Sequence, residues 1–207
     1  MYARSTSMRG IPEKLDDGIE YVSKEVLPTI GEAEGCLGLS MLTNRDDGRC
    51  IVTTSWRDEQ SMRATAEDAR TLRHHLQHTL GGEHADVEEW EIAILHRERP
   101  AGDGAGAQVT WARIPTNHVD DLLAAYRENL MPKLQELPGF CSLSMMVDRR
   151  TGRTVSVTSF ENRDAAGLVR KHARTLRNQF AQAMGAKIVD IAEMDLVLAH
   201  LHVPEAV

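Results

Sequence analysis

The chain has 207 residues, with 24 Lys and Arg against 31 Asp and Glu, giving a formal charge of −7. This mildly acidic balance contains no basic run, so it excludes the clustered cations that a phosphate backbone requires, and nucleic acid is not expected as a partner. No apolar run approaches membrane-spanning length, and the start M-Y-A-R-S-T-S-M-R-G-I-P lacks the apolar core of a signal peptide, so a cytoplasmic protein with no membrane partner is expected.

Residues 2–10 alternate weakly and precede Pro12, which predicts a strand. A helix is expected from about Glu13. Leu15, Ile19, Val22, Val26, Ile30 and Ala33 recur at steps of three and four and trace one helical face. Pro28 falls late in that helix and removes a backbone donor, so a kink or a stop is expected there. Gly35 to Trp56 reads as a β-hairpin. Leu37, Leu39 and Met41 alternate with smaller residues, Asn44-Arg45-Asp46-Asp47-Gly48 turns the chain, and Ile51 to Trp56 return. Asp58 caps a second helix whose stripe is Met62, Thr65, Ala69, Leu72, Leu76 and Leu80, and Gly81 ends it. A last strand runs from Val87 to His96.

All of this then repeats without a gap. The hairpin returns at Gly139 to Phe160, Pro28 falls on Pro132, Gly81 on Gly185, Glu89 on Glu193 and His96 on His200, each at an offset of 104 residues. The second stripes are Val119, Leu123, Tyr126, Leu130, Leu134 and Leu137, then Ala166, Val169, Ala173, Leu176, Phe180 and Met184. The expected domains are residues 1–100 and 107–207, joined by a flexible Gly/Ala linker at 101–106. Each half is β-α-β-β-α-β, a ferredoxin-like α+β unit. Helices on one face of an antiparallel sheet leave the other face apolar, and a second sheet covers it. The expected architecture is therefore two tandem halves forming an intramolecular, pseudo-dimeric α+β barrel, as a monomer or as a homodimer of it. The short linker gives the halves a high effective concentration for each other. The three cysteines, Cys36, Cys50 and Cys141, are odd in number and lack C-x-x-C spacing; Cys36 and Cys50 fall on neighbouring strands, where a bridge is one reading and reduced thiols the simpler one.

The pattern resembles the dimeric α+β barrel superfamily and, within it, the antibiotic biosynthesis monooxygenase family. The residues that carry the resemblance are Gly35-Cys36-Leu37-Gly38 leading into strand two, and Trp56-Arg57-Asp58-Glu59 after strand three. They return as Pro138-Gly139-Phe140 and Phe160-Glu161-Asn162-Arg163. The resemblance implies a small-molecule ligand and a cofactor-independent oxygenation of an electron-rich aromatic compound, with no cofactor and no metal. The alternative is a non-catalytic binding or stress-response module on the same barrel. Haem-degrading relatives form a third reading. They place an Asn on strand one and a Trp and a His on the second helix, where this chain has Ser7, Thr65 and His74, so only the histidine matches. At 100° per residue His74 lies about 160° from the middle of the apolar stripe, pointing out.

Candidate site residues follow from the repeat. Ala69-Arg70-Thr71-Leu72-Arg73 returns unaltered as Ala173-Arg174-Thr175-Leu176-Arg177. Arg73 and Arg177 fall about 60° from the stripe centre and reach back over the sheet. Each is a cation able to steady a phenolate or carboxylate; the competing reading is a structural staple to Glu89 or Glu193. His75, on the stripe boundary, completes the catalytic candidates. Thr54 and Thr158, which also repeat, and Ser7 and Trp111, which occupy equivalent places on the first strands, are the expected substrate contacts. Trp56, Phe160 and Trp90 are expected to fill the core. No Gly-rich phosphate loop or Ser-His-Asp arrangement is present.

Overall fold

The computed structural model describes residues 1–202, Pro204 and Ala206. The first repeat supplies β1 (Tyr2–Arg9), α1 (Leu15–Tyr21), α2 (Leu27–Gly31), β2 (Cys36–Asn44), β3 (Arg49–Trp56), α3 (Glu59–Ala64), α4 (Ala66–Leu80) and β4 (Ala85–Arg97). The second supplies β5 (Ala105–Arg113), α5 (Val119–Ala125), α6 (Met131–Gln135), β6 (Phe140–Asp148), β7 (Arg153–Phe160), α7 (Arg163–Ala183) and β8 (Lys187–Leu201). The strands follow the order β1-β3-β2-β8-β5-β7-β6-β4 and close into an eight-stranded antiparallel barrel, the α+β ferredoxin-like arrangement expected of the tandem repeat.

The hairpins pair in one register from Gly38 and Ser142 to their turns, with Ser40 opposite Thr53 and Ser144 opposite Val157, and each shifts register once at its open end, between Cys36 and Gly38 and between Phe140 and Ser142. Their turns close on Gly48 and Gly152, at φ +71° and +69°, whose N–H groups bond the carbonyls of Asn44 and Asp148 at 3.0 and 2.9 Å. A Cβ on either glycine would lie 2.1 or 2.0 Å from the carbonyl oxygen of Gly10 or Ile114, so both handedness and space require glycine there.

The prolines act through the turn that precedes them. A π-helical turn, Val22–Val26 or Tyr126–Leu130, separates the two α-segments in each repeat. A proline cannot donate to the carbonyl four residues back, and its ring crowds that group. The wider turn relieves the crowding by letting Leu27 N–H bond Val22 O and Met131 N–H bond Tyr126 O. The second helices begin as expected, with Asp58 Oδ1 accepting from Ser61 N–H at 2.7 Å and Asn162 Oδ1 from Ala165 N–H at 2.8 Å. They then differ. α7 runs unbroken, whereas its counterpart breaks at Thr65, in a stretch with no Gly or Pro where an uninterrupted helix was expected. Thr65 Oγ1 donates to Met62 O at 2.9 Å, and Arg4 donates to the same carbonyl at 2.8 Å, so side chains compete with the helical ladder there. The second repeat has Gln108 and Val169 at these two places and no competition.

The chain divides into two compact units, one of residues 1–90 and 196–202, the other of residues 91–195 with Pro204 and Ala206. The division cuts β4 and β8 rather than the linker. From Glu91 onward β4 pairs with β6, with Glu91 opposite Val147 and Arg97 opposite Ser142. At the far end of β8, His202 N–H bonds Leu37 O at 2.7 Å. β5 already begins at Ala105, inside the expected linker. The first unit packs Trp56, Leu15, Val22, Met62 and Leu80 between sheet and helices; the second packs Phe140, Phe160, Tyr126, Leu130 and Val169. Trp56 is 0% and Phe160 2% exposed, as core residues should be. The cysteines are free, and a Cys36–Cys50 bridge is excluded by register: Cys36 lies opposite Trp56 and Cys50 opposite Thr43, at the two ends of the hairpin.

Candidate functional site

Strand alternation decides which side chains meet the helices. On β5 the residues Gln108, Thr110 and Ala112 face α7, and on β7 so do Thr154, Ser156 and Thr158. With Tyr126, Leu130 and Leu134 from the first helix of the repeat and Ala173, Arg177 and Phe180 from α7, they line a cavity of about 590 Å³, its mouth included. One wall is a row of hydroxyls and the opposite one is apolar.

Among the described residues Arg177 is its one charged lining residue. One of its terminal nitrogens bonds the amide oxygen of Gln108. Its Nε is buried and has no hydrogen-bond partner among the described residues. A buried donor left unmade costs about 1–3 kcal/mol, which an acceptor atom of a ligand would recover. Burial lowers the Arg177 pKa, the Arg174 charge lowers it further, and Glu193 partly opposes them. Burial likewise raises the Tyr126 phenol, against a hydrogen bond from Ser156, so the phenol stays protonated at neutral pH.

The first unit holds the equivalent cavity between β1, β3 and α4, about 420 Å³ with its mouth. It is lined by Arg4, Thr6, Val52, Thr54 and Arg73, with Val26, Ile30, Ala69, Leu72 and Leu76. Arg4 is 5% exposed. It bonds Met62 O, Thr65 Oγ1 at 3.4 Å and Glu89 Oε1 at 3.2 Å. Thr54 Oγ1 accepts from Trp56 Nε1 at 3.0 Å.

Of the residues singled out from sequence, Arg73 and Thr54 line the first cavity, and Arg177 and Thr158 the second. The other three lie elsewhere. Ser7 and Trp111 are odd positions on strands whose even positions face the cavities, so the pleat turns both expected substrate contacts away. His75 is exposed on α4 and lines neither cavity; His74 is exposed too. The staple to the sheet is also made by other arginines: Glu89 pairs with Arg4 and Arg63, and Glu193 with Arg170 at 2.6 Å. Sequence reasoning missed Arg4, Gln108, Tyr126 and Ser156. An arginine alternating with alanine and serine in an otherwise half-buried strand was the available signal for Arg4.

The profile of the antibiotic biosynthesis monooxygenase family matches residues 1–78. The chain is 40% identical over 208 residues to uncharacterized protein Rv2558 of Mycobacterium tuberculosis, covering 100% of this chain and 88% of that one. Among solved structures it is similar to an anthrone oxidase-like protein, with a TM-score of 0.70 at 14% identity over 96% of this chain and 91% of the other. It is also similar to LmHde, a heme-degrading enzyme of Listeria monocytogenes, with a TM-score of 0.53 at 9% identity over 94% of this chain and 99% of the other. At these identities the two structures speak for the fold. No helix among the described residues is long and apolar enough to cross a membrane.

Proposed function

Because the chain belongs to the antibiotic biosynthesis monooxygenase family, we propose that it is a monooxygenase-like protein whose second cavity oxygenates an electron-rich aromatic small molecule without a cofactor. The observation that carries this reading is the buried Nε of Arg177, unpartnered among the described residues, in a cavity otherwise lined by hydroxyls, the Gln108 amide and apolar side chains. A guanidinium in that position stabilises a substrate oxyanion and so lowers the pKa of the substrate. The anion then reacts with dioxygen directly. For an anthrone, the ring CH2 and O2 become C=O and H2O, with one oxygen atom kept and the other released.

Among the described residues no Asp, Glu, His or Lys lines the cavity, and the Tyr126 phenol is held protonated, so it acts as a donor rather than a base. The substrate must therefore be acidic enough to lose its proton to water once the cation is beside it. The same scarcity of bases supports the second reading, a module that binds such a molecule without converting it.

Oxygen uptake by metal-free, flavin-free protein with a panel of anthrones and hydroquinones tests the proposal. Arg177→Gln removes a charge-assisted hydrogen bond, about 2 kcal/mol of transition-state stabilisation, and is expected to slow turnover tens-fold. Turnover that appears only on adding flavin or iron defeats the mechanism. Binding with no oxygen uptake leaves the module reading.

A further inference from the structure

We propose that the cavity of the first unit is a separate binding site for a small aliphatic monocarboxylate, held by the Arg73 guanidinium in the field of Arg4. Among the described residues, two arginines line this cavity and no acidic or imidazole side chain does. Arg4 is accounted for by Met62 O, Thr65 and one oxygen of Glu89, and that carboxylate is shared with Arg63 at 4.0 Å. Arg73 is not: among the described residues it has no hydrogen bond and no ion pair, although it is half-buried beside Arg4. Burial lowers its pKa, and the charges of Arg4 and then Arg70 lower it further. A cation so placed gains from an anion that pairs with its own guanidinium while lying in the field of Arg4.

The rest of the lining sets the shape of the ligand. Val26, Ile30, Val52, Leu72 and Leu76 present aliphatic surface for a short tail, where the cavity of the second unit presents the aromatic rings of Tyr126 and Phe180. There Gln108 stands where Arg4 stands here, and it takes up part of Arg177 with a neutral oxygen. The site does not depend on the oxygenase reading.

Titration calorimetry of the full chain with sodium hexanoate tests it, with hexanamide as the neutral isostere. Hexanoate is expected to bind once per chain and hexanamide not at all. Arg73→Gln should weaken hexanoate at least tenfold, Arg73→Lys should restore part of the affinity, and Arg177→Gln should leave it unchanged. Because Arg73 makes no hydrogen bond to the protein, its replacement should retain the wild-type circular dichroism; the hexanoate–hexanamide contrast in the wild type stands whatever the variants do. No hexanoate binding, equal binding of hexanamide, unchanged affinity in Arg73→Gln, or loss in Arg177→Gln overturns the proposal. Hexanoate binding without oxygen uptake, or uptake without hexanoate binding, separates the failure of one proposal from that of the other.

Discussion

The two cavities use equivalent positions of equivalent elements, yet they handle charge in opposite ways. In each, an arginine from the second helix reaches toward the first strand. In the first unit it meets Arg4, a buried cation; in the second it meets Gln108, a neutral amide that accepts a hydrogen bond from it. Val22, Cys50, Val52 and Leu76 of the first unit are replaced by Tyr126, Thr154, Ser156 and Phe180 of the second. One wall thus gains hydroxyls and aromatic surface while it loses a charge. A duplicated scaffold keeps what the fold needs, here the turns, the caps and the π-turns, and diverges where side chains face space rather than protein.

The largest effect expected from this comparison concerns the paired aromatics at the ends of β3 and β7. Trp56→Ala and Phe160→Ala should each cost about 3–5 kcal/mol in urea unfolding, since both side chains are fully buried. Trp56→Ala should exceed Phe160→Ala by about 1 kcal/mol, because it also loses the indole hydrogen bond to Thr54. Equal costs would mean that the indole N–H contributes nothing.

Next in size is the alkaline limb of stability. Burial raises the Cys50 thiol from 9.0 to about 12 in the native state, and raises the Tyr126 phenol above its usual 10.0. The unfolded chain therefore releases these protons first. Each contribution is complete below the unfolded pKa and is lost as pH rises toward the folded one, at about 1.4 kcal/mol per pH unit. Stability should fall from about pH 9, where Cys50 leads and Cys36 and Cys141 add to it, and more steeply above about pH 10, where Tyr126 and Tyr21 join. Cys50→Thr, which installs the residue of the second unit, should make the fall between about pH 9 and 10 shallower, and Tyr126→Phe the fall above it; urea midpoints measured across that range check both.

The smallest effect is the most pointed. Gln108→Arg gives the second cavity the charge arrangement of the first. It should destabilise the protein by only about 1 kcal/mol, the hydrogen bond of Gln108 to Arg177 being replaced by a like-charge neighbour. It should also raise hexanoate stoichiometry from one to two per chain, read by the same calorimetric titration. A stoichiometry that stays at one would show that charge alone does not distinguish the cavities.

The sequence by itself determined the repeat, the order of elements, the capped helices, the hairpin turns and the family. These rest on local rules: glycine where φ is positive, Asp and Asn at helix starts, apolar residues at helical or strand spacing. It also picked out Arg73 and Arg177, because a polar residue that repeats on a helical stripe boundary has a definite face, and Thr54 and Thr158 because they repeat. Only the tertiary structure decided the rest. The pleat of β1 and β5 turns Ser7 and Trp111 away and brings in Arg4 and Gln108, and a strand shows both faces equally in sequence until its partners are known. The break at Thr65 needs Arg4, 61 residues earlier, to share a carbonyl with it. Whether Glu89 pairs with Arg73 or with Arg4 is a competition between cations from different elements, and distance, not pattern, settles it.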